Sequence, residues 1–370
     1  MLKYRFCSAN ILLERGILRR IMGFKAYQKK FKKIFLNAIF LAFCLGITLF
    51  YVFHNEDVDI IKSYIKDAHW FLWVLGSICV LMFILGEAVI FKYLLRVLGH
   101  KTSLWNCSLY SFVGFFFSCV TPSASGGQPM QAWFMTRDGV PVQLSTLALL
   151  IVTINYKSVL LIYGFGLIIF KPAGIYGMLS GAMPWIYLGL FINFIIVWFM
   201  ITLAIKPKFA ETVVMWIFRQ LSKFFKKRKF YIIEKKAERA MSDYVVRSKN
   251  LMKHKVLMLK VLGITFIQRT ILFFTTYLVI VSFGFTDIGA GTATWLQGLI
   301  SLSVDMLPLP GGMGASEHIF NLIFRPVLGN DLTTPALIVS RGLAYYTQLI
   351  ISAIMTAVAY IAIFGRRRKQ

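Results

Sequence analysis

Eight apolar stretches run through the sequence, at about 34–53, 70–91, 104–120, 142–170, 183–205, 256–283, 292–309 and 334–364. A helix needs roughly 20 apolar residues to cross the hydrocarbon core of a bilayer, so most of these runs are long enough to span one. Only 15% of the 370 residues are charged, where soluble domains run near a quarter, and the mean hydropathy is +0.70. The chain therefore reads as an all-α integral membrane protein. Thirty-three residues precede the first run, which is long enough to remain a span rather than a cleaved signal.

Charge orders the runs. Lys and Arg total 41 against 15 acids, a formal net charge of +26. Eight single spans would place 206–255, with 15 bases and four acids, on the opposite side from 1–33, with ten bases and one acid. Basic loops collect on the cytoplasmic side, so that arrangement fails. Two runs are also broken, by Thr121-Pro122-Ser123-Ala124-Ser125-Gly126-Gly127-Gln128-Pro129 and by Pro308-Leu309-Pro310-Gly311-Gly312-Met313-Gly314. Proline lacks the amide donor and glycine costs helix stability. Each is read as a re-entrant helical hairpin, tolerable at membrane depth where protein or a wet cavity covers it.

Six spanning helices plus two re-entrant helical hairpins sort the charges. Residues 1–33, 92–103, the Arg137-Asp138 turn, 206–255 and the 366–370 tail fall inside with 33 of the 41 bases, leaving Lys62, Lys66, Lys171 and Arg325 outside. The expectation is a multi-pass protein of the cytoplasmic membrane, 34–365 forming the membrane domain and both termini cytoplasmic. Within it, 70–170 and 256–364 each read as span, hairpin, span, the second unit upside down relative to the first. Lys157 follows Gly126 by 31 residues and Arg341 follows Gly311 by 30. Inverted-topology repeats with broken helices are a recurrent transporter architecture.

The stretch Pro308-Leu309-Pro310-Gly311-Gly312-Met313-Gly314-Ala315-Ser316-Glu317 resembles a P-x-P-G-G-x-G-x-x-E signature, that of the flippase-like membrane domain of lysylphosphatidylglycerol synthases (the multiple peptide resistance factor family). Thr121-Pro122 through Gly126-Gly127-Gln128-Pro129 is similar to the same family's first conserved loop, in a Ser-rich variant. The resemblance covers roughly 30–365. It implies movement of aminoacylated phosphatidylglycerol to the outer leaflet, and a link to cationic-peptide resistance. In two-part members a separate cytoplasmic domain makes that lipid from aminoacyl-tRNA. The sequence ends at Gln370 after the last apolar run, so the expectation is a stand-alone member lacking the soluble synthase domain.

Seven ionisable residues fall in apolar segments: Glu87, Lys157, Lys260, Arg269, Asp305, Glu317 and Arg341. Each costs about 2.5–3.5 kcal/mol at mid-bilayer on insertion scales, so such charges pair or serve a pathway. Two readings are open. In one, Lys157, Arg269 and Arg341 receive an anionic headgroup, with Gly126, Gly127, Gly311 and Gly312 letting a phosphate approach half-helix N-termini; Glu87, Asp305 and Glu317 then carry a coupling ion or bind an amine. In the other, the charges neutralise one another as buried pairs, and the glycines only let half-helices turn and pack. Lys260 sits near a boundary and snorkels. His318 is a neighbour rather than a ligand.

Val213, Val214, Ile217, Leu221, Phe224 and Phe225 recur at helical spacing opposite bases, as in an amphipathic helix on an anionic leaflet. No P-loop, G-x-S-x-G, H-E-x-x-H or kinase pattern occurs, and Cys7, Cys44, Cys79, Cys107 and Cys119 form no C-x-x-C pair. No cofactor or metal is expected. Anionic membrane lipids are the expected partners, with a separate lipid-modifying enzyme as a candidate; DNA is not expected and tRNA is disfavoured. Lipid translocation is the leading reading. The alternative is a phosphatidylglycerol lysyltransferase, aminoacylating the lipid from lysyl-tRNA alone or with a partner's catalytic domain, an activity not expected of this chain alone.

Overall fold

The computed structural model describes residues 58–366, except 122–123, 172–174, 306, 308–311 and 313, with only scattered positions between 207 and 253. The expected first span at 34–53, the basic tracts at 1–33 and 367–370, most of the amphipathic segment, and Gly311 with its flanking prolines lie outside the described residues. Among those described there are helices and no strand.

In chain order the helices are α1 (Val58–Asp67), α2 (Trp70–Val97), α3 (Leu104–Val120), α4 (Gly127–Arg137), α5 (Val142–Phe170), α6 (Met183–Ile205), α7 (Lys255–Ser282), α8 (Ala290–Val304), α9 (Ala315–Arg341) and α10 (Gln348–Arg366). A single π-helical turn, Gly342–Thr347, joins α9 to α10. Helices α2, α5, α6 and α7 are each long and apolar enough to cross a membrane, as is the continuous stretch Ala315–Ile363. At 1.5 Å per residue the 28 residues of α2 extend about 42 Å, more than a hydrocarbon core of about 30 Å. Their outer faces stay apolar: Trp70, Phe170, Phe191, Ile267 and Ile361 are all exposed. An all-round apolar helix belongs in a membrane, and the chain is an all-α membrane protein.

Helices α3 and α4 form a tight hairpin. Ser103 caps α3, its hydroxyl accepting from the Asn106 amide at 3.1 Å. At the far end Thr121 leaves the helix in an extended conformation; its hydroxyl donates to the Phe117 carbonyl (2.6 Å) and accepts from the Gly126 amide (2.9 Å). The chain then returns to where it began: Asp138, just beyond α4, accepts from the Asn106 side chain at 2.7 Å and from the Tyr110 hydroxyl. A Cβ on Gly127 would lie 2.0 Å from Ser118 Oγ and 2.7 Å from the Gly114 carbonyl, so only glycine allows α4 to sit this close to α3.

The same succession recurs from α7 onward. Each unit begins with a 28-residue helix (α2, α7), followed by a glycine in the left-handed region, Gly99 at φ 83° and Gly284 at φ 81°. A short helix (α3, α8), a break and a second short helix follow. The break between returning helix and final helix again falls at a positive-φ glycine, Gly139 (99°) and Gly329 (75°). Gly329 divides α9, so its first half returns from the α8 turn and its second half opens the final long helix. That helix therefore starts at Asn330, before the apolar run at 334 does, because the polar residues after Gly329 already have helical geometry.

Helices α2 and α7 run antiparallel along each other: the His69 amide and the Trp73 indole, at the start of α2, donate to the Ser282 carbonyl (2.9 Å) and hydroxyl (2.8 Å) at the end of α7. The remaining contacts are reciprocal. Short helix α3 packs on α10 of the other unit, and short helix α8 packs on α5. Helix α6 stands outside this exchange and braces α5 and α8. A Cβ on its Gly189 would lie 2.5 Å from the Leu302 carbonyl, whereas one on Gly263 of α7 would meet nothing within 4 Å. Gly189→Ala is expected to cost about 1–3 kcal/mol through backbone displacement. It should lower the melting temperature in detergent, while Gly263→Ala leaves it unchanged or higher.

Candidate headgroup site

The ionisable residues of the apolar segments, Lys260 excepted, converge where the two units meet. A cavity of about 550 Å³ is bounded by Phe83 and Glu87 of α2, Tyr156 and Lys157 of α5, Arg269 of α7, and Asp305 beyond α8. The α3–α4 turn contributes Ala124, Ser125 and Gln128 to its wall. A smaller cavity, about 260 Å³, adjoins it across Tyr156, Asp305 and Tyr345; its polar lining includes Thr276, Gln297, Ser316 and Arg341.

Lys157 donates to Asp305 Oδ2 at 2.6 Å, linking the last helix of the first unit to the end of α8. Tyr156 donates its hydroxyl to the other carboxylate oxygen. Asn193 of α6, fully buried, holds the cluster from behind: its oxygen lies 3.4 Å from Lys157 Nζ, and its amide donates to Gly189 O at 2.9 Å. The second pair lies within the second unit, where Arg341 Nε donates to Glu317 Oε1 at 2.7 Å and Ser316 to Oε2 at 2.9 Å. Arg341 closes α9 immediately before the π turn. That turn directs Tyr345 into both cavities, and its hydroxyl donates to the Cys119 carbonyl at 2.9 Å. Single π turns inside α-helices concentrate at functional sites.

Arg269 and Glu87 are arranged differently. The Arg269 guanidinium carbon lies against two aromatic rings, 3.7 Å from the Tyr156 centroid and 4.7 Å from that of Phe83. Stacking of this kind holds a guanidinium by its faces. Its Nε is buried and has no hydrogen-bond partner. Glu87, also buried, accepts from Gln131 Nε2 at 2.7 Å.

The structure thus brings Glu87, Lys157, Arg269 and Asp305 to one cavity and Arg341 to its neighbour, with Glu317 behind Arg341. Gly312 lines the smaller cavity at φ 67°. Gly126 and Gly127 face the α3–α4 packing: a Cβ on Gly126 would lie 2.6 Å from the Thr121 methyl, and Gly127 is buried. Lys260 is exposed, as is His318, whose ring meets Trp185 edge-on. Tyr156, Gln131, Asn193 and Tyr345 belong to the site although sequence reasoning passed over them. Asn193 had a usable signal, an amide in the middle of the apolar run 183–205. The others had none, because tyrosine and glutamine beside half-helices are unremarked without a contact.

The fold and these paired and stacked charges define a polytopic helical membrane protein with a mainly apolar cavity, carrying a few charged side chains, between two similar units. Residues 35–352 match the profile of the lysylphosphatidylglycerol synthase transmembrane region, and the chain belongs to that family. It is also similar to a UPF0104 membrane protein of Archaeoglobus fulgidus, 27% identical over 99 residues, which cover 27% of this chain and 30% of that protein. The match thus spans under a third of the relative's length.

Breaking one side of a buried ion pair is worth about 3–5 kcal/mol, while neutralising both sides costs far less. Lys157→Met is therefore expected to destabilise the protein by roughly that amount. Lys157→Met with Asp305→Asn should recover most of the loss, as read from thermal unfolding in detergent.

Proposed function

We propose that this protein carries an anionic lipid phosphate headgroup across the cytoplasmic membrane, the acyl tails remaining in lipid. The observation that carries this reading is the cavity itself, in which stacked Arg269 and paired Lys157 and Asp305 face open volume between two units of a membrane domain. Ligand cavities of about 300–1,000 Å³ take small molecules or headgroups, and about 550 Å³ falls in that range. Membership of the lysylphosphatidylglycerol synthase membrane-region family supports a lipid as cargo, with aminoacylated phosphatidylglycerol one candidate.

In this reading the two units are an inverted-topology repeat. Support comes from the antiparallel α2 and α7, the repeated positive-φ glycines and the reciprocal contacts of short helices with long ones. The α3–α4 hairpin is re-entrant, entering from the cytoplasmic side where Lys92, Arg96, Lys101 and Arg137 collect, and the α8–α9 hairpin enters from the outside. Both termini are cytoplasmic. Ala124 of the first break and Gly312 of the second both line the smaller cavity, so a headgroup crossing there exchanges one hairpin's surroundings for the other's.

The test is movement of labelled phosphatidylglycerol between leaflets of proteoliposomes. Glu317→Gln with Arg341→Gln replaces an ion pair by neutral isosteres that can still hydrogen-bond, so insertion and folding persist. If Arg341 serves the headgroup, this double variant moves lipid at least tenfold more slowly, about 1.4 kcal/mol of barrier. Wild-type rates in the double variant would confine the pair to a structural role. Product from lysyl-tRNA and phosphatidylglycerol with the purified chain would favour the transferase reading.

A further inference from the structure

Two cations and two carboxylates line the larger cavity, and they are not matched alike. Lys157 and Asp305 satisfy each other directly, and Asp305 takes a further hydrogen bond from Tyr156. Arg269 and Glu87 share the cavity without an ion pair, and among the described residues neither lies within ion-pair distance of an opposite charge. Glu87 accepts from an uncharged amide, that of Gln131. Arg269 lines the cavity with its guanidinium carbon over the Tyr156 and Phe83 rings and its Nε buried without a partner, which leaves its terminal N–H groups, outside any ion pair, for a ligand. A planar fork of donors of this kind matches the oxygens of a phosphate.

With all four groups ionised the wall carries no net charge, Arg269 and Lys157 standing against Glu87 and Asp305. A phosphodiester carries one negative charge. Placed on the Arg269 edge it leaves the cavity one negative charge in excess, with a buried carboxylate of like sign close by. Such an excess is costly in a low-dielectric interior, where the available relief is to neutralise a group.

We propose that the cavity takes up one singly charged lipid phosphodiester on Arg269 together with one proton on Glu87, so that headgroup movement is coupled to protons. The inference rests on the headgroup reading above and adds to it the coupling ion and its site. The proton comes from water on the side of entry, adds to the Glu87 oxygen not held by Gln131, and leaves when the phosphodiester departs; no bond of the lipid is made or broken. The titratable groups facing Glu87 from the elements around it are Arg269, Tyr156, Lys157, Asp305, Cys119 and Tyr345. Lys157, Asp305 and Tyr156 are engaged with one another, Tyr345 donates to a backbone carbonyl, and Cys119 carries no charge to offset. Glu87 is the remaining carboxylate.

The test uses the full chain in detergent with dioctanoyl phosphatidylglycerol, titrated calorimetrically in two buffers of different protonation enthalpy. About one proton is expected to be taken up per lipid bound, with affinity falling about tenfold per pH unit over the alkaline range where Glu87 must be newly protonated. Glu87→Gln, which keeps an oxygen to accept from Gln131, should bind with no proton uptake and a flat pH profile, and Arg269→Gln should lose binding at least tenfold. Lipid binding by the wild type without proton uptake anywhere in that alkaline range, a count that needs no variant, overturns the coupling and leaves the headgroup reading standing. No lipid binding overturns both. Inorganic phosphate is expected to compete poorly; competition at equal concentration would assign the site to free phosphate and overturn the lipid source.

Discussion

The Lys157–Asp305 ion pair joins the last helix of one unit to the end of the short helix of the other, and much of the architecture follows from keeping it dry and satisfied. A charge at this depth is tolerated only with a partner close by. Asp305 is brought there by α8, which can end at this level because it is short and its continuation turns back as α9. Asn193 supplies the backing, and Gly189 lets α6 approach the α8 backbone closely enough for Asn193 to reach. Tyr156 then does two things at once: its hydroxyl serves Asp305 and its ring stacks on Arg269. Pair and stacked cation are thus coupled through a single side chain, so a change at one is felt at the other.

Much of the fold was legible because its determinants are local. Apolar runs and proline–glycine breaks mark where helices can exist, and the observed ends of α3, α5 and α6 fall on the runs read from sequence. The start of the final helix was not, since Asn330, Asp331, Thr333 and Thr334 are polar and hydropathy alone cannot see a helix there. Its true marker is conformational: Gly329 adopts φ 75°, and the chain becomes helical directly after it. The π turn was invisible for the same reason, as nothing in Gly-Leu-Ala-Tyr-Tyr-Thr distinguishes it from an ordinary turn of α-helix.

The charged residues of the site were legible as a set, because each is anomalous in an apolar run. How they divide was not. Sequence left open whether the bases meet a ligand or the carboxylates, and the geometry gives different arrangements at different positions: Lys157 and Arg341 each hold a carboxylate, while Arg269 holds two aromatic rings. Pairing of this kind depends on which helices touch, a long-range property. The glycines teach a similar point. Gly127 is the residue that lets two half-helices pack, whereas Gly312, from a motif of the same appearance, lines a cavity.

The net charge of +26 dominates the composition, yet little of it lies near the cavity. The bases that crowd the chain lie mainly in segments flanking the apolar runs, where they bias orientation and favour an anionic leaflet. Around the larger cavity the formal balance, with every group ionised, is zero: two bases and two carboxylates. Zero is the informative value. A cavity with a large positive excess would hold an anion too firmly to release it, and one with a negative excess would repel it. On the proton-coupled reading, a wall whose second guanidinium and second carboxylate form no ion pair accepts one negative charge and is returned to balance by a single proton, so that capture and release become parts of one reversible step.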